Sequence, residues 1–374
     1  MAGIYIHIPF CKQACHYCDF HFSTSLKKRD EMINAICEEL MLRKTELQGA
    51  VQTIYFGGGT PSLLTAEEIQ QILEAVHAHF NIKPEPEITL EANPDDLTED
   101  RIKELAKSPI NRLSIGVQSF FEEDLQLMNR AHNANEAHES IIKCKAYFEN
   151  ISVDLIYGIP GLTKERWLQN LETAVSLEVP HLSCYALTVE PKTALEKFIQ
   201  NGTITPVEDS LAEAHYQLLL DTLEAAGYEN YEFSNFGKEG YRSQNNTAYW
   251  EGKPYLGIGP SAHSYDGDRR SWNVSNNAKY IKSMNQETLP IERETLSQTD
   301  KFNEYIMTGL RTQRGVSLER VTTHFGANYK ETLLKNAHVH LQDGLLILAK
   351  NTLTVSRKGK FVSDGIASDL FLVN

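Results

Sequence analysis

Positive charge is in short supply in this chain. Its 374 residues carry 36 Lys and Arg against 50 Asp and Glu, a net charge of −14 at pH 7. Nucleic acid demands a basic, phosphate-neutralising face, so this balance disfavours it as a partner. Long apolar runs are also missing. None approaches the roughly 20 residues of a bilayer-spanning helix, and the N-terminus lacks the apolar core of a signal peptide, which makes the cytoplasm the expected compartment. Cysteine is sparse, six in all, and that excludes a disulfide scaffold in a chain of this length. A reducing compartment would keep such thiols available for metal.

Three of the six are nevertheless crowded into CKQACHYC, as Cys11, Cys15 and Cys18. The spacing i, i+4, i+7 lets the three sulfurs converge. Three thiolates can hold three irons of a [4Fe-4S] cube and leave the fourth open to a ligand that is not protein. An open position separates a metal centre that does chemistry from one that only holds structure. A structural zinc site would want a fourth ligand, for which His16 and His21 are the candidates. Cys37 and Cys144 stand alone in helix-like segments and Cys184 in a strand-like one, and each reads as buried apolar filler.

At this length one large domain with a smaller appendage is expected. Strand and helix patterns alternate through six units. The strands read as Gly3 to Ile8, Val51 to Phe56, Glu87 to Leu90, Arg112 to Ile115, Ile151 to Tyr157 and His181 to Leu187, and helical stretches follow them. Such alternation implies parallel pairing with right-handed crossovers, in an incomplete (β/α)6 TIM-like barrel or a doubly wound sheet. In a barrel the loops after the strands open on one face. Here they carry the cysteines, Gly57-Gly58-Gly59-Thr60-Pro61, Glu91, Gln118, Gly158 and Glu190. The stretch from Glu232 to about Asn277 reads as mostly loop. Beyond about Asp300, helices and a hairpin about Lys350-Asn351 suggest a small winged-helix-like α+β module, suited to packing or partner docking. The expected partition is 1–230, a connecting segment 231–299, and 300–374.

Gly57 to Gly59 are not a phosphate cradle, because the lysine of GxxxxGK[ST] is missing and Pro61 follows at once. CxxxCxYC resembles the signature of the radical S-adenosylmethionine (SAM) enzymes. In that superfamily SAM chelates the open iron, and an electron from the reduced cluster cleaves it to a 5′-deoxyadenosyl radical. The resemblance therefore implies a [4Fe-4S] cluster, SAM and an electron donor. The glycines would then let backbone meet the methionine moiety, and Glu91 would suit a ribose or ammonium group; a solvated loop carboxylate is its plainer reading.

Beyond the cluster, IYIHIPFC, IYFGGGTPS, LEANP, RLSIGVQSF, DLIYGIPG and LTVEP are similar to the oxygen-independent coproporphyrinogen III dehydrogenases and the HemW-type haem chaperones, over nearly the whole chain. This implies that Tyr5, Tyr17, Gly58, Gly59, Thr60 and Glu91 contact cluster-bound SAM. It also implies that Gln118, Arg130, Asp154 and Ala186 line a second SAM site, unless they form a structural polar network. The dehydrogenases carry a longer segment before their first cluster cysteine and a further cysteine two positions after the third. Here ten residues precede Cys11, and Phe20 stands at the second position. Both features match the haem chaperones, as does NNTAYW (Asn245 to Trp250) against their HNxxYW. The resemblance thus implies a protein that binds cluster, SAM and haem and hands haem to acceptors such as respiratory enzymes. Radical decarboxylation of two coproporphyrinogen III propionates is the alternative. A tRNA-modifying enzyme would want a basic appendage, which the charge does not supply. Asn245 occupies the position of a candidate haem-ligating histidine and is itself a poor iron ligand, leaving His263, Tyr249 or a histidine near the cluster as substitutes.

Overall fold

The structure, a computed structural model, describes residues 2–373. Its centre is built from β1 (Ala2–Ile8), α1 (Arg29–Leu42), β2 (Val51–Gly58), α2 (Ala66–His79), β3 (Ile82–Ala92), α3 (Glu99–Leu105), β4 (Arg112–Gln118), α4 (Glu122–Leu127), α5 (Ala134–Lys145), β5 (Asn150–Tyr157), α6 (Lys164–Ser176) and β6 (His181–Ala186). The six strands lie side by side in chain order, all parallel. The six expected units are therefore present. β4 is buried at all seven positions, as a parallel strand covered on both faces must be. Helix starts are written locally. Thr65 and Glu68 form a capping box at α2, and Asn133 and Glu136 form one at α5, each satisfying donors the helix leaves orphaned.

After α7 (Ala194–Gln200) and α8 (Asp209–Ala225) the stretch expected to be loop proves ordered: β7 (Glu229–Asn230), β8 (Asn235–Gly237), α9 (Gln244–Trp250), β9 (Tyr255–Ile258), β10 (His263–Tyr265), β11 (Arg269–Asn273), α10 (Asn277–Met284) and β12 (Ile291–Thr295). Strands of two to five residues are too short to show a period, and tertiary pairing defines them. β8 adds antiparallel to β6, while β9 adds parallel to the outer side of β1 and continues into β10, β11 and β12. The result is an open sheet of twelve strands, with β12 and β7 at its edges.

α9 has weak helix formers and is made by its surroundings. The Glu87 carboxylate on β3 accepts from the Gln244 and Asn245 N–H groups (3.0 Å each), and Ser243 caps Asn246 N–H. A buried cluster fixes the β9–β11 extension to α1. Glu39 accepts from Arg43, Gly259 N–H, Asn273 and Tyr280.

A second core, from Phe302 to Leu370, belongs to the C-terminal part. It comprises α11 (Gln298–Leu310), β13 (Val316–Ser317), α12 (Leu318–His324), α13 (Ala327–Gln342), β14 (Leu346–Ala349), β15 (Thr352–Val355) and α14 (Ser363–Asp369). β14 and β15 form the expected hairpin about Lys350-Asn351, joined by β13 in one antiparallel sheet. α13 had no counterpart in the sequence reading. This part docks on the centre through Arg357 with Asp221 and Glu224, and Phe361 against Tyr216. Arg311 lies over Trp250 (5.4 Å). The last residue of NNTAYW thus anchors a module contact.

Candidate cofactor site

A cavity of about 440 Å³ opens at the carboxyl ends of β1 to β6, within the range of small-molecule sites. The cysteine loop forms one lip, and Cys11, Cys15 and Cys18 all line it, each half-buried. The loop is clamped to the segment after α4. Gln13 Nε2 donates to Asn129 O (2.8 Å), Asn129 Nδ2 to Ala14 O (2.7 Å), and His16 N–H to Met128 O (3.1 Å). Lys12 is held on the other side by Asp95 (2.7 Å) and Asp96.

The fit of the three thiols to an iron–sulfur cluster can be judged from their setting. They are soft donors, and no group of three or more His, Cys, Asp or Glu side chains among the described residues is gathered tightly enough for a single metal ion, while one ring nitrogen of each candidate histidine is taken. His16 Nδ1 pairs with Leu127 O (2.8 Å) and His21 Nε2 with Asn277 Oδ1 (2.7 Å). Burial pushes the Cys11 thiol up, partly offset by the Thr60 hydroxyl, and pushes Cys18 up to about 11. Bound iron would supply the positive charge that such thiolates require. The donor set fits.

Beside the cysteine loop stand Gly58, Gly59 and Thr60. Their smallness has a packing cause. A Cβ on Gly59 would stand 2.6 Å from Phe10 O, and one on Gly58 (φ +108°) 2.6 Å from the His7 ring. The backbone is thereby left bare toward the cavity. Glu91 is pinned behind it, accepting from the Tyr55 hydroxyl (2.8 Å) and Gly58 N–H (3.2 Å). Burial nevertheless takes its carboxyl up to about 7, with Asp154 adding repulsion. Tyr5 is not on the wall. It stacks on Tyr55 (6.0 Å), and its hydroxyl lies 3.3 Å from His7 Nδ1. Tyr17 does line the cavity.

Gln118, Arg130, Asp154 and Ala186 also line this one cavity. Gln118 takes a left-handed backbone conformation (φ +69°). Asp154 lies on β5 opposite Ser183 and accepts from Ser114 (3.3 Å), and burial raises its carboxyl to about 6. Sequence reasoning missed Arg112, Ser114, Ser183, Tyr185 and Asn246, which share the lining. Ser183 and Tyr185 alternate with Cys184 along β6, a period-two signal that could have separated cavity from core.

Asn245 is 3 % exposed and is not on the wall. Thr53 donates to its Oδ1 (3.1 Å). No histidine is among the described residues that line the cavity. His263, by contrast, is exposed. Its ring lies 6.0 Å from that of Trp272, takes no hydrogen bond among the described residues, and is kept toward its neutral form by partial burial and Arg270. Through the β1–β9–β10 register it shares the sheet face of Tyr5.

Residues 5–174 match the radical SAM superfamily and residues 296–362 the HemN C-terminal domain. The haem chaperone HemW of Bacillus subtilis is 33% identical over 375 residues, 98% of each chain. The chain belongs to the HemW family of radical SAM proteins. HemW of Escherichia coli is 40% identical over 269 residues, 70% of this chain and 69% of that one. The mouse mitochondrial radical S-adenosyl methionine domain-containing protein 1 is 33% identical over 98% of this chain and 86% of its own. The E. coli coproporphyrinogen III oxidase HemN, described as a radical SAM enzyme, superposes with a TM-score of 0.86 over 99% of this chain and 90% of that one at 23% identity. It shares the fold. Membership implies a [4Fe-4S] cluster and SAM, and no helix among the described residues is long and apolar enough to cross a membrane.

Proposed function

We propose that the protein holds a [4Fe-4S] cluster through Cys11, Cys15 and Cys18, binds SAM against Gly58, Gly59, Thr60 and Glu91, and carries haem to acceptor proteins. The observation behind this reading is that three thiols, a bare glycine backbone and two carboxylates with raised pKa, Glu91 and Asp154, converge on a single cavity. Bound SAM would supply a one-electron radical precursor. The chain's own residues bind and orient it and keep bulk water out. The haem part rests on the haem chaperone relatives, and cytoplasmic residence is the compartment the reading assumes.

Anaerobic reconstitution with iron and sulfide, followed by haem titration, tests it. A saturable Soret shift at about micromolar haem is expected. Its absence would sink haem carriage, and formation of the vinyl product from coproporphyrinogen III and SAM would favour the decarboxylase reading instead. Our candidate iron ligand is His263, whose exposed ring takes no hydrogen bond among the described residues. His263→Ala is expected to weaken haem binding at least about tenfold. Asn245→His should not strengthen it, because that position is walled off by Thr53 and Glu87.

A further inference from the structure

We propose that Arg130 is a positioning residue for the cluster, whose guanidinium donates to the Cys15 sulfur and raises the cluster's reduction potential. Family resemblance puts this residue at a second SAM site, but its donors here are committed to the chain itself. Nη1 lies 3.4 Å from Cys15 Sγ and 3.3 Å from the Tyr17 hydroxyl. Nη2 donates to Asn93 Oδ1 (2.7 Å) and Gly116 O (2.8 Å). One planar group therefore ties the cysteine loop to the ends of β3 and β4. A Cβ on Gly116 would stand 3.2 Å from Nη2, so glycine there makes room for it.

The charge of this group has no obvious partner. Among the described residues no carboxylate pairs with Arg130, and its buried Nε has no acceptor. Arg130 is partly buried, and a cation withdrawn from water is costly unless something negative faces it. Asp154 feels this charge but forms no ion pair with it; the group within hydrogen-bond reach that carries negative charge as a metal ligand is the Cys15 sulfur. Hydrogen bonds to cluster sulfurs are a recognised lever on reduction potential. Adding an electron makes the cluster more negative, so a cationic donor at sulfur favours the reduced form and moves the potential upward. The rigid clamp around residues 127–130 keeps this donor in place. Asn129 has φ +56°, and Arg130 N–H donates to Leu125 O (2.9 Å).

The test is a potentiometric titration of the reconstituted full chain, followed by EPR of the reduced cluster without SAM, so that no SAM contact contributes. Arg130→Gln is expected to give a more negative midpoint than wild type, with Arg130→Lys in between and Tyr17→Phe close to wild type. An unchanged midpoint in Arg130→Gln overturns the proposal. If Arg130→Gln takes up no iron while its thermal melt without cluster matches wild type, the positioning role is supported. Loss of both iron and fold would instead make Arg130 a scaffold residue and also overturn it. The inference rests on the cluster reading above. A wild-type chain that fails to reconstitute defeats that reading, whereas an unaltered midpoint defeats only this one.

Discussion

Glu39→Ala is expected to cost the fold about 3–5 kcal/mol, as when one partner is removed from a buried ion pair. Glu39 is fully buried and Arg43 is 1% exposed. The carboxylate accepts four donors: Arg43 Nη1, Gly259 N–H and Asn273 Nδ2 at 2.8 Å each, and the Tyr280 hydroxyl at 2.5 Å. Alanine would take this acceptor from all four where water does not reach, although Arg43 Nη1 keeps Gly257 O (2.8 Å) and Asn273 Nδ2 keeps Gly259 O (2.7 Å). Arg43 would keep Glu46 (2.7 Å), which is partly solvated and offsets only some of the loss. By contrast the exposed pair Lys301–Asp268 should yield less than about 1 kcal/mol on removal. Denaturant unfolding compares the variants. With two cores in the chain, midpoints should be compared only at equal slopes. A loss below about 1 kcal/mol for Glu39→Ala would show that this network does not brace the fold. Gly259 links the effect to the site, since a Cβ on it would stand 2.5 Å from His7 O, beside the end of β1. Loosening Glu39 should therefore reach the cavity wall as well.

What could be read beforehand follows a physical rule. β1 to β6 were legible because each holds an apolar run closed by Gly, Pro or a polar residue and followed by a helical stretch, with capping boxes at α2 and α5. The β9–β12 extension was not, because pairing defines it. β10 has three residues and meets β9 only at Tyr265↔Tyr255. The NNTAYW segment reads as loop by propensity and is helical because Glu87, remote in sequence, accepts from its first N–H groups.

The site divides the same way. The cysteines, glycines and Glu91 announce themselves at strand ends, where the topology gathers them. Arg112 sits in RLSI and looks like the start of a strand. Only the β3–β4–β5 register reveals a buried cation beside the cavity, whose charge works against the burial that raises Asp154. Asn245 shows the converse. A motif position that invites a ligand role is 3 % exposed and serves packing.

Glu91→Gln carries the other large effect, on pH dependence and on SAM. In the wild type, burial takes this carboxyl from its ordinary value near 4.5 to about 7, although Tyr55 and Gly58 donate to it. Between those two values the folded chain holds a proton that the unfolded chain has released. Stability is therefore fullest below about 4.5, falls as pH rises, and levels off above about 7. At about 1.4 kcal/mol per pH decade over about 2.5 decades, this descent is worth about 3–4 kcal/mol. Asp154, raised to about 6, contributes in the same direction and survives the substitution. Glutamine has no proton to lose. Its carbonyl can accept from Gly58 N–H and its amide can donate to a Tyr55 hydroxyl turned acceptor, so the local cost should stay near about 1 kcal/mol. The variant without cluster is thus expected to be more stable than wild type at pH 8, less stable at pH 4, and shallower between. SAM binding should move oppositely. Cationic SAM favours the ionised carboxylate, so its affinity for reconstituted wild type should rise as pH passes about 7. In Glu91→Gln that rise should vanish, with affinity at pH 8 lower by about 10–100-fold, the value of a hydrogen bond to a charged group. Melts across pH and calorimetric SAM titrations at pH 6 and pH 8 read both effects. A variant that kept the wild-type slope in both would place the titrating group elsewhere, with Asp154 the next to test. A variant that lost only the stability slope would leave Glu91 as a buried acid that SAM does not touch.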